Sequence, residues 1–479
     1  MPLGQYHVKI VDLMDIERNL IRAALQNRRL LQPRHEAILR WAIALGRMCL
    51  FRTPEGRDVD LADALGPYRT WLIENLRAAI PNREAPDGAR LRLLVPSVEL
   101  RLRAARQLIL TRHVNDFGEE HLDRELRHRK LALALGGGGG AGFAHLGVFG
   151  LVEELGLTPD LIVGASMGSL MGLFRAIERP YSAVAAIQTI PRNFDLTRIF
   201  RPFNGVTRFG MPGAFHMQMI RTARVALENF VGRSRIPAFS ELPIRLEVVV
   251  TGVRGGFADN PLMQQGILDQ GNRTITNPFS MRRWLKLSFQ IARDLSSNPK
   301  MLKQLVFGRE EGTADFNTVE AVGFSCAVPG LFCYDVFHDD PHTIQTLDAI
   351  VQRHRIWRMT DGGVVNNVPS RVAWESAMQG NLGSRNVFVF SSDVFAPINS
   401  ARNLPYTPVQ QIARQNVLPN RPFSDYTCTF KSPPSPLNLS PSVDQLQKIV
   451  NAARAEVDVC ADHLRMAMAP LPVYGSWAR

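Results

Sequence analysis

The chain has few cysteines, and they form no pattern. Its 479 residues include five of them, an odd number, spread along the chain without the short spacings of metal ligands: Cys49, Cys326, Cys333, Cys428 and Cys460. Secreted domains with a disulfide framework use paired cysteines, whereas scattered thiols suit a reducing compartment. The cysteine content therefore argues against a fold held together by disulfide bonds and against a metal site with cysteine ligands.

The chain also shows no leader and no membrane span. Residues 1–18 carry charge throughout and have no apolar core of a signal peptide. Residues 131–152 lack Asp, Glu, Lys and Arg over a length that would cross a bilayer, but glycines 136–140 interrupt them. We interpret this stretch as a buried strand, a loop and the start of a buried helix. We therefore expect a cytoplasmic protein.

The net charge of +12 is supplied mainly by arginine. Arginine suits contacts with phosphate, so peripheral contact with an anionic membrane is one expectation. Composition bias and ordinary solvated faces are the preferred explanation of the charge. Because no motif interleaves basic and aromatic residues, nucleic acid is not an expected partner.

The hydrophobic pattern changes along the chain and predicts three parts. Residues 1–128 have helical spacing and predict a helical N-terminal extension. Residues 129–400 alternate apolar strands with helices, which predicts a three-layer α/β/α domain around a mostly parallel sheet. Residues 257–318 break this rhythm and suggest an insertion, in which a basic helix with Trp284 suits either a lipid interface or a packed core. Residues 401–479 predict a Pro-rich tail and a closing helix that starts after Ser442.

A candidate nucleophile lies between a predicted strand and a predicted helix. Gly164-Ala165-Ser166-Met167-Gly168 follows the apolar run 161–163 and has the form of a nucleophile elbow. Small residues on both sides of the serine allow the sharp turn. The alternative is a tight turn whose serine only satisfies backbone groups. The context favours Ser166 as the nucleophile of a serine hydrolase.

Residues 136–142, all glycine except Ala141, form a candidate oxyanion hole. They lie after a predicted strand and before a predicted helix, where backbone N–H groups can approach a developing negative charge. The same residues formally match a dinucleotide-binding motif, which leaves a nucleotide-dependent oxidoreductase as a remote alternative. That motif requires an acidic residue after the second strand, where this chain has Ser166.

Asp361-Gly362-Gly363 offers a candidate general base. It follows the apolar run 356–359, as a residue at the end of a strand would. A simple turn aspartate is the alternative. Histidines lie downstream of Ser166, but none occupies a recognisable catalytic turn, so the residues alone leave a dyad and a triad open.

Four blocks in this order resemble the patatin-like phospholipases: the glycine-rich 135–147, the Ser166 elbow, the Ser-Cys-Ala-Val-Pro-Gly-Leu-Phe segment 325–332, and Asp361-Gly362-Gly363. The resemblance covers about residues 130–397. It implies a lipid acyl hydrolase of the phospholipase A or esterase type that works through a Ser166–Asp361 dyad and a covalent acyl-serine. It also implies that the backbone N–H groups of Gly137, Gly138 and Gly139 hold the oxyanion. No metal or cofactor would take part. The substrate would be a phospholipid or another acyl-ester lipid.

One position departs from the family pattern. The family usually carries Arg or Lys before the glycine that matches Gly142, and this chain has Ala141. Loss of that cation would weaken the positive field near the oxyanion loop or remove an anchor for a neighbouring loop. A catalytically weak lipid-binding or regulatory protein on the same fold is therefore the alternative function.

Overall fold

The chain folds around one central sheet. A computed structural model describes residues 3–81, 86–193, 199–203, 205–232, 235–257, 288, 290–398 and 407–478. The strands are β1 (Leu50–Arg52), β2 (Asp58–Asp60), β3 (Lys130–Leu135), β4 (Leu161–Ala165), β5 (Phe200–Pro202), β6 (Gly213–Met217), β7 (Arg245–Arg254), β8 (Leu302–Phe307), β9 (Gly330–Cys333), β10 (Ile356–Thr360), β11 (Val387–Asp393) and β12 (Tyr426–Thr429). The helices are α1 (Leu3–Gln26), α2 (Pro33–Arg47), α3 (Gly66–Ala79), α4 (Gly88–Arg112), α5 (Glu119–Arg127), α6 (His145–Glu154), α7 (Met167–Ile177), α8 (Ala183–Asn193), α9 (Met219–Val231), α10 (Thr318–Ser325), α11 (Pro341–His354), α12 (Ser370–Met378), α13 (Thr407–Val417), α14 (Val443–Val457) and α15 (Ala461–Met468).

The sheet is mostly parallel, as predicted. Its strand order is β10-β7-β4-β3-β11-β12, and β8 also pairs with β7. The pairs from β7 through β4, β3 and β11 to β12 are all parallel, whereas β8 and β10 run antiparallel to β7. The side chains of β3 alternate between two cores: Leu131 and Leu133 join one, and Ala132 and Ala134 join the other. Helices α6, α7 and α14 cover the first face and α12 covers the second, which confirms the three-layer α/β/α fold.

Strand β7 sets the geometry around the site. Its residues 245–249 pair with β4, and its residues 251–254 pair with β10. Residues 248–253 also pair with β8. Because a strand has only two edges, β4 and β10 share the edge of β7 opposite β8.

Two strands of this sheet lie where the sequence suggested no sheet. Leu302–Phe307 (β8) falls inside the segment 257–318 that we expected to be an insertion. Its Leu305, Val306 and Phe307 are buried, and this burial draws the strand onto β7. Tyr426–Thr429 (β12) belongs to the expected tail, yet it extends the sheet beside β11. Most of the predicted basic helix, residues 281–287 and 289, lies outside the described residues.

The N-terminal helices have a core of their own. Residues of α1–α4 pack together, and Leu471 and Trp477 from the last part of the chain join them. A buried ionic cluster connects this unit to the sheet, since Arg47 is paired at 2.7 Å with Asp425, which lies next to β12. Within the described ranges, no helix combines the length and apolarity needed to span a bilayer.

The predicted closing helix is confirmed. Helix α14 begins at Val443 after the N-cap Ser442, and Gln445 completes a capping box. Its buried face, Leu446, Val450, Ala453 and Val457, packs against the sheet core. The segment that precedes this helix, residues 432–440, contacts the glycine-rich loop after β3, since the Gly140 N–H donates a 2.8 Å hydrogen bond to the Pro436 carbonyl.

Candidate active site

The predicted nucleophile and base each follow the end of a strand, and these two strands, β4 and β10, point towards each other. Strand β4 runs parallel to β7 and its last residue pairs with Val249. Strand β10 runs antiparallel to β7 and its last residue pairs with Thr251. The two strands therefore approach each other along one edge of β7, and the residues that follow them are Ser166 and Asp361. The sheet topology itself brings these two residues together.

Ser166 has a strained backbone. Its φ of 50° and ψ of −128° lie outside the regions that residues with a side chain normally adopt. The turn is possible because its neighbours are small. A Cβ on Gly164 would lie 2.5 Å from the Ser169 nitrogen, and one on Gly168 would lie 2.3 Å from the Leu135 carbonyl oxygen. This is the strand-turn-helix geometry of a nucleophile elbow.

A second serine holds the elbow from behind. The Ser325 hydroxyl accepts a 2.8 Å hydrogen bond from the Ser166 N–H and donates a 2.6 Å bond to the carbonyl of Val249. Ser325 is fully buried, so it ties the strained turn to β7 without contact with water. The sequence marked segment 325–332 only as one of four similar blocks, and nothing local in it predicts this role.

The environment of Asp361 suits a base. Its Oδ1 accepts a 2.7 Å hydrogen bond from the Gly363 N–H, and its own N–H donates to the carbonyl of Ala327 at 2.9 Å. Its Oδ2 is buried and has no well-formed hydrogen bond to any described residue. Burial raises the pKa of this carboxyl to about 6, and the neighbouring Ser166 hydroxyl opposes the rise. Asp361 therefore lies near Ser166, without a well-formed hydrogen bond between the two side chains.

The glycine loop contacts Ser166 directly. A Cβ on Gly137 would lie 2.8 Å from both the Ser166 Cβ and the Asn367 Oδ1. The Gly137 N–H, however, donates a 3.2 Å hydrogen bond to the carbonyl of Asn367. This corrects one expectation, because Gly137 has no free donor for an oxyanion. Among the described residues, the N–H groups of Gly138 and Gly139 have no such partner.

The C-terminal segment 432–440 covers the far end of this loop. The Gly140 N–H donates a 2.8 Å hydrogen bond to the carbonyl of Pro436. A Cβ on Gly139 would lie 2.4 Å from the same carbonyl oxygen, and one on Gly140 would lie 2.4 Å from that of Asn438. A pyrophosphate would need the space that these carbonyl oxygens fill. The packing therefore argues against a dinucleotide at the glycine-rich motif.

An apolar cavity opens beside Ser166. Its volume is about 90 Å³, and its wall includes Met217, Met219, Val328, Phe332 and Leu439. A second apolar cavity of about 40 Å³ lies next to it. The two share Leu170, Ile199 and Met219 as common walls. Such surroundings exclude water and favour a hydrocarbon chain.

Comparison with known proteins agrees with this geometry. The sequence model of the patatin-like phospholipase family matches residues 133–374, about half of the chain. The chain belongs to this family. The matched region contains all four sequence blocks, from the glycine-rich block 135–147 to Asp361-Gly362-Gly363.

Similar proteins carry names from the same family. The chain is 34% identical over 141 residues to human patatin-like phospholipase domain-containing protein 6, a match that covers 29% of this chain and 10% of that protein. It is 48% identical over 61 residues to the yeast (Saccharomyces cerevisiae) lysophospholipase NTE1, with 13% and 4% covered. Rat patatin-like phospholipase domain-containing protein 7 is 36% identical over 116 residues, with 24% and 8% covered. The aligned part of the chain thus spans at most about a tenth of each of these relatives.

The histidine in the patatin-like glycine block supports the loop. His145 is fully buried, and its Nε2 lies 2.8 Å from the Gly136 carbonyl oxygen, which can only accept. Nε2 therefore carries the proton, and Nδ1 accepts from the Ser392 hydroxyl at 2.9 Å. Burial lowers the pKa of His145 to about 4, which keeps the ring neutral. In the described part of the chain, no histidine hydrogen-bonds to Ser166 or Asp361.

Ala141 fits its surroundings. Its side chain is 1% exposed and belongs to the main apolar core. A guanidinium or ammonium group without a partner would be costly at this position. The cation that is usual in the family is therefore replaced by core packing. The described residues also contain no cluster of three His, Cys, Asp or Glu side chains of the kind that holds a metal.

Proposed function

We propose that this chain hydrolyses carboxylic esters of lipids through a covalent acyl-serine, with Ser166 as nucleophile and Asp361 as general base. The observation that carries the proposal is the approach of β4 and β10 along one edge of β7, which sets a strained serine beside a buried carboxylate. Ser166 also lines an apolar cavity. This combination is what acyl transfer from a lipid requires.

In the first step the Ser166 Oγ attacks the ester carbonyl carbon. Its proton moves to the Asp361 Oδ2, the oxygen that has no other well-formed hydrogen bond in the described structure. Collapse of the tetrahedral intermediate breaks the bond to the leaving alcohol, which takes the proton back from Asp361. The products of this step are an acyl-Ser166 ester and a neutral alcohol.

In the second step water replaces the alcohol. Asp361 accepts a proton from the water as it attacks the acyl-serine, and Asp361 returns that proton to Ser166 as the fatty acid leaves. A base with a pKa of about 6 is ionised at neutral pH and still accepts a proton readily. One carboxyl therefore serves both steps without a histidine.

Backbone groups would stabilise the negative charge. The Gly138 and Gly139 N–H groups are the donors we assign to the oxyanion, and Gly139 lines the cavity beside Ser166. Helix α7 begins at Met167, so the positive end of its dipole lies next to the reacting carbonyl. These groups supply a positive field that does not depend on a cation at Ala141.

The test is hydrolysis of a panel of lipids with one acyl chain and different headgroups. Wild type should release fatty acid, and Ser166→Ala and Asp361→Asn should not. Exposed Ser240 provides a matched control as Ser240→Ala. A fluorophosphonate should label Ser166 in wild type, as shown by mass spectrometry. Absence of labelling in the presence of lipid vesicles would refute the proposal and favour a lipid-binding protein on the same fold.

A further inference from the structure

A further cavity, lined in part by charged and hydroxyl side chains, lies next to the residues that contact the glycine loop. Its volume is about 210 Å³, and it is bounded by the end of β11, by α13 and by β12. One water needs roughly 10–15 Å³ of such space, so the cavity is large enough for a small polar group of several atoms. We propose that this cavity binds a phosphate group, either that of a phospholipid headgroup or free phosphate.

The charges in the cavity suit an anion. Arg414 and Arg421 line it, and neither forms an ion pair with a carboxylate in the described residues. The hydroxyl residues Thr427 and Thr429 line the same cavity. Guanidinium groups bind phosphate oxygens through paired N–H donors, and hydroxyl groups can complete the contact. These side chains come from α13, from the turn that follows it and from β12.

One carboxylate lies among them. Asp393 is 7% exposed, and its Oδ1 accepts a 3.1 Å hydrogen bond from the Phe395 N–H. Burial raises the pKa of Asp393, and Arg421 opposes that rise. The carboxylate is thus engaged by backbone at the base of the cavity, while the two arginines are exposed. The cavity as a whole carries more positive than negative charge.

The cavity is connected to the proposed catalytic site. Asn367 lines it and also touches the glycine loop, because its Nδ2 donates to the Gly137 carbonyl at 3.4 Å. Phe395 lines it as well, and a Cβ on Gly138 would lie 3.2 Å from the Phe395 Cβ. Asn367 and Phe395 thus line the cavity and also contact the glycine loop. In the proposal, the ester carbonyl of a bound lipid lies at this loop, and its headgroup extends past these two residues towards the arginines.

The headgroup assignment rests on the proposed function, and kinetics test it. We would compare a lysophospholipid with a monoacylglycerol of the same acyl chain, both below their aggregation concentrations. Arg414→Gln and Arg421→Gln should each raise KM for the lysophospholipid by about three- to tenfold, because exposed charge-assisted contacts are modest. KM for the monoacylglycerol should not change. Arg112→Gln is the matched control, since Arg112 and Arg414 are both exposed arginines in the last turn of a helix.

Direct binding distinguishes the two sources of phosphate and needs no catalysis. Calorimetry on the Ser166→Ala protein should detect glycerophosphocholine or inorganic phosphate, and the arginine variants should weaken that binding. If the arginine variants raise KM for the lysophospholipid but not for the monoacylglycerol, the cavity binds the phosphate of a lipid headgroup. Phosphate binding that the variants abolish, with unchanged lysophospholipid KM, identifies free phosphate as the ligand.

Two results would overturn the inference. One is an equal change of KM for both lipids, which would indicate a general effect on the fold or surface. The other is no binding of either phosphate compound together with an unchanged lysophospholipid KM. Failure of the proposed function looks different, since wild type would then hydrolyse neither lipid and resist the fluorophosphonate, while the calorimetric result would still stand.

Discussion

Replacing Asp361 by asparagine should abolish ester hydrolysis and at the same time stabilise the fold. The carboxyl is 6% exposed, and its ionised form lies in a site where Oδ2 has no well-formed hydrogen bond to a described residue. Burial therefore raises its pKa from an ordinary 3.8 to about 6. Asparagine keeps the acceptor for the Gly363 N–H and carries no charge, so it removes the cost of burying an anion.

The size and the sign follow from the pKa. Below about pH 3 the carboxyl is protonated in both the folded and the unfolded chain, and it has no differential effect; at about pH 4 the effect is already small. As the pH rises the unfolded chain ionises first, while the folded protein holds its proton until about pH 6. Wild type thus loses stability through this interval, by about 3 kcal/mol at about 1.36 kcal/mol per pKa unit. Asparagine does not ionise and avoids the loss.

The assay compares thermal or urea unfolding of wild type and Asp361→Asn at pH 8 and at pH 4. The variant should be the more stable protein at pH 8, by up to about 3 kcal/mol, and the two should converge at pH 4. Exposed Asp339 supplies the control variant Asp339→Asn, which should show no such convergence. An offset that is the same at both pH values would refute the reasoning, because it would not come from ionisation.

Three further predictions concern the same machinery. The kcat/KM of wild type should fall about tenfold per pH unit below about pH 6, as Asp361 becomes protonated, and a flat profile down to pH 5 would contradict its role as the base. Gly137→Ala should lower kcat and the rate of fluorophosphonate labelling about hundredfold, because the new Cβ would lie 2.8 Å from the Ser166 Cβ. The control Gly150→Ala should change neither, because its new Cβ would meet no atom within 4 Å. Arg47→Met should lower the stability by about 3–5 kcal/mol, because it removes a partner of the buried carboxylates of Glu17 and Asp425. The loss would be measured as a lower Tm. An unchanged Tm would show that the ionic cluster does not hold the N-terminal helices.

The main part of the fold could be predicted because its signals are local. The strand before Ser166 and the strand after Lys130 are continuous apolar runs next to glycine, and the capping box at Ser442 marks a helix start by itself. Helix α4 shows the limit of such signals. The helical spacing of residues 97–110 predicts a helix that starts at Ser97, whereas α4 begins at Gly88 after the N-cap Asp87 and contains Pro96.

Features that depend on distant partners could not be predicted. Strand β12 has four residues, and only its pairing with β11 makes it a strand. The N–H of Gly137 looks like an oxyanion donor until the carbonyl of Asn367, far along the chain, takes its hydrogen bond. Ser325 likewise has a role only because the sheet brings the Ser166 N–H to its hydroxyl. Local sequence patterns therefore indicate the candidate residues, but they do not indicate the distant groups that hold those residues in place.

The segment over the glycine loop has a consequence for biosynthesis. Residues 432–440 follow Asp361 by a long stretch of chain, and they supply the carbonyls that fix Gly140 and the Leu439 wall of the cavity. Both proposed reacting residues leave the ribosome before this segment does. A nascent chain would therefore carry the proposed nucleophile and base with an incomplete loop beside them. We expect the proposed hydrolytic activity to arise late in synthesis, after the closing helix has folded.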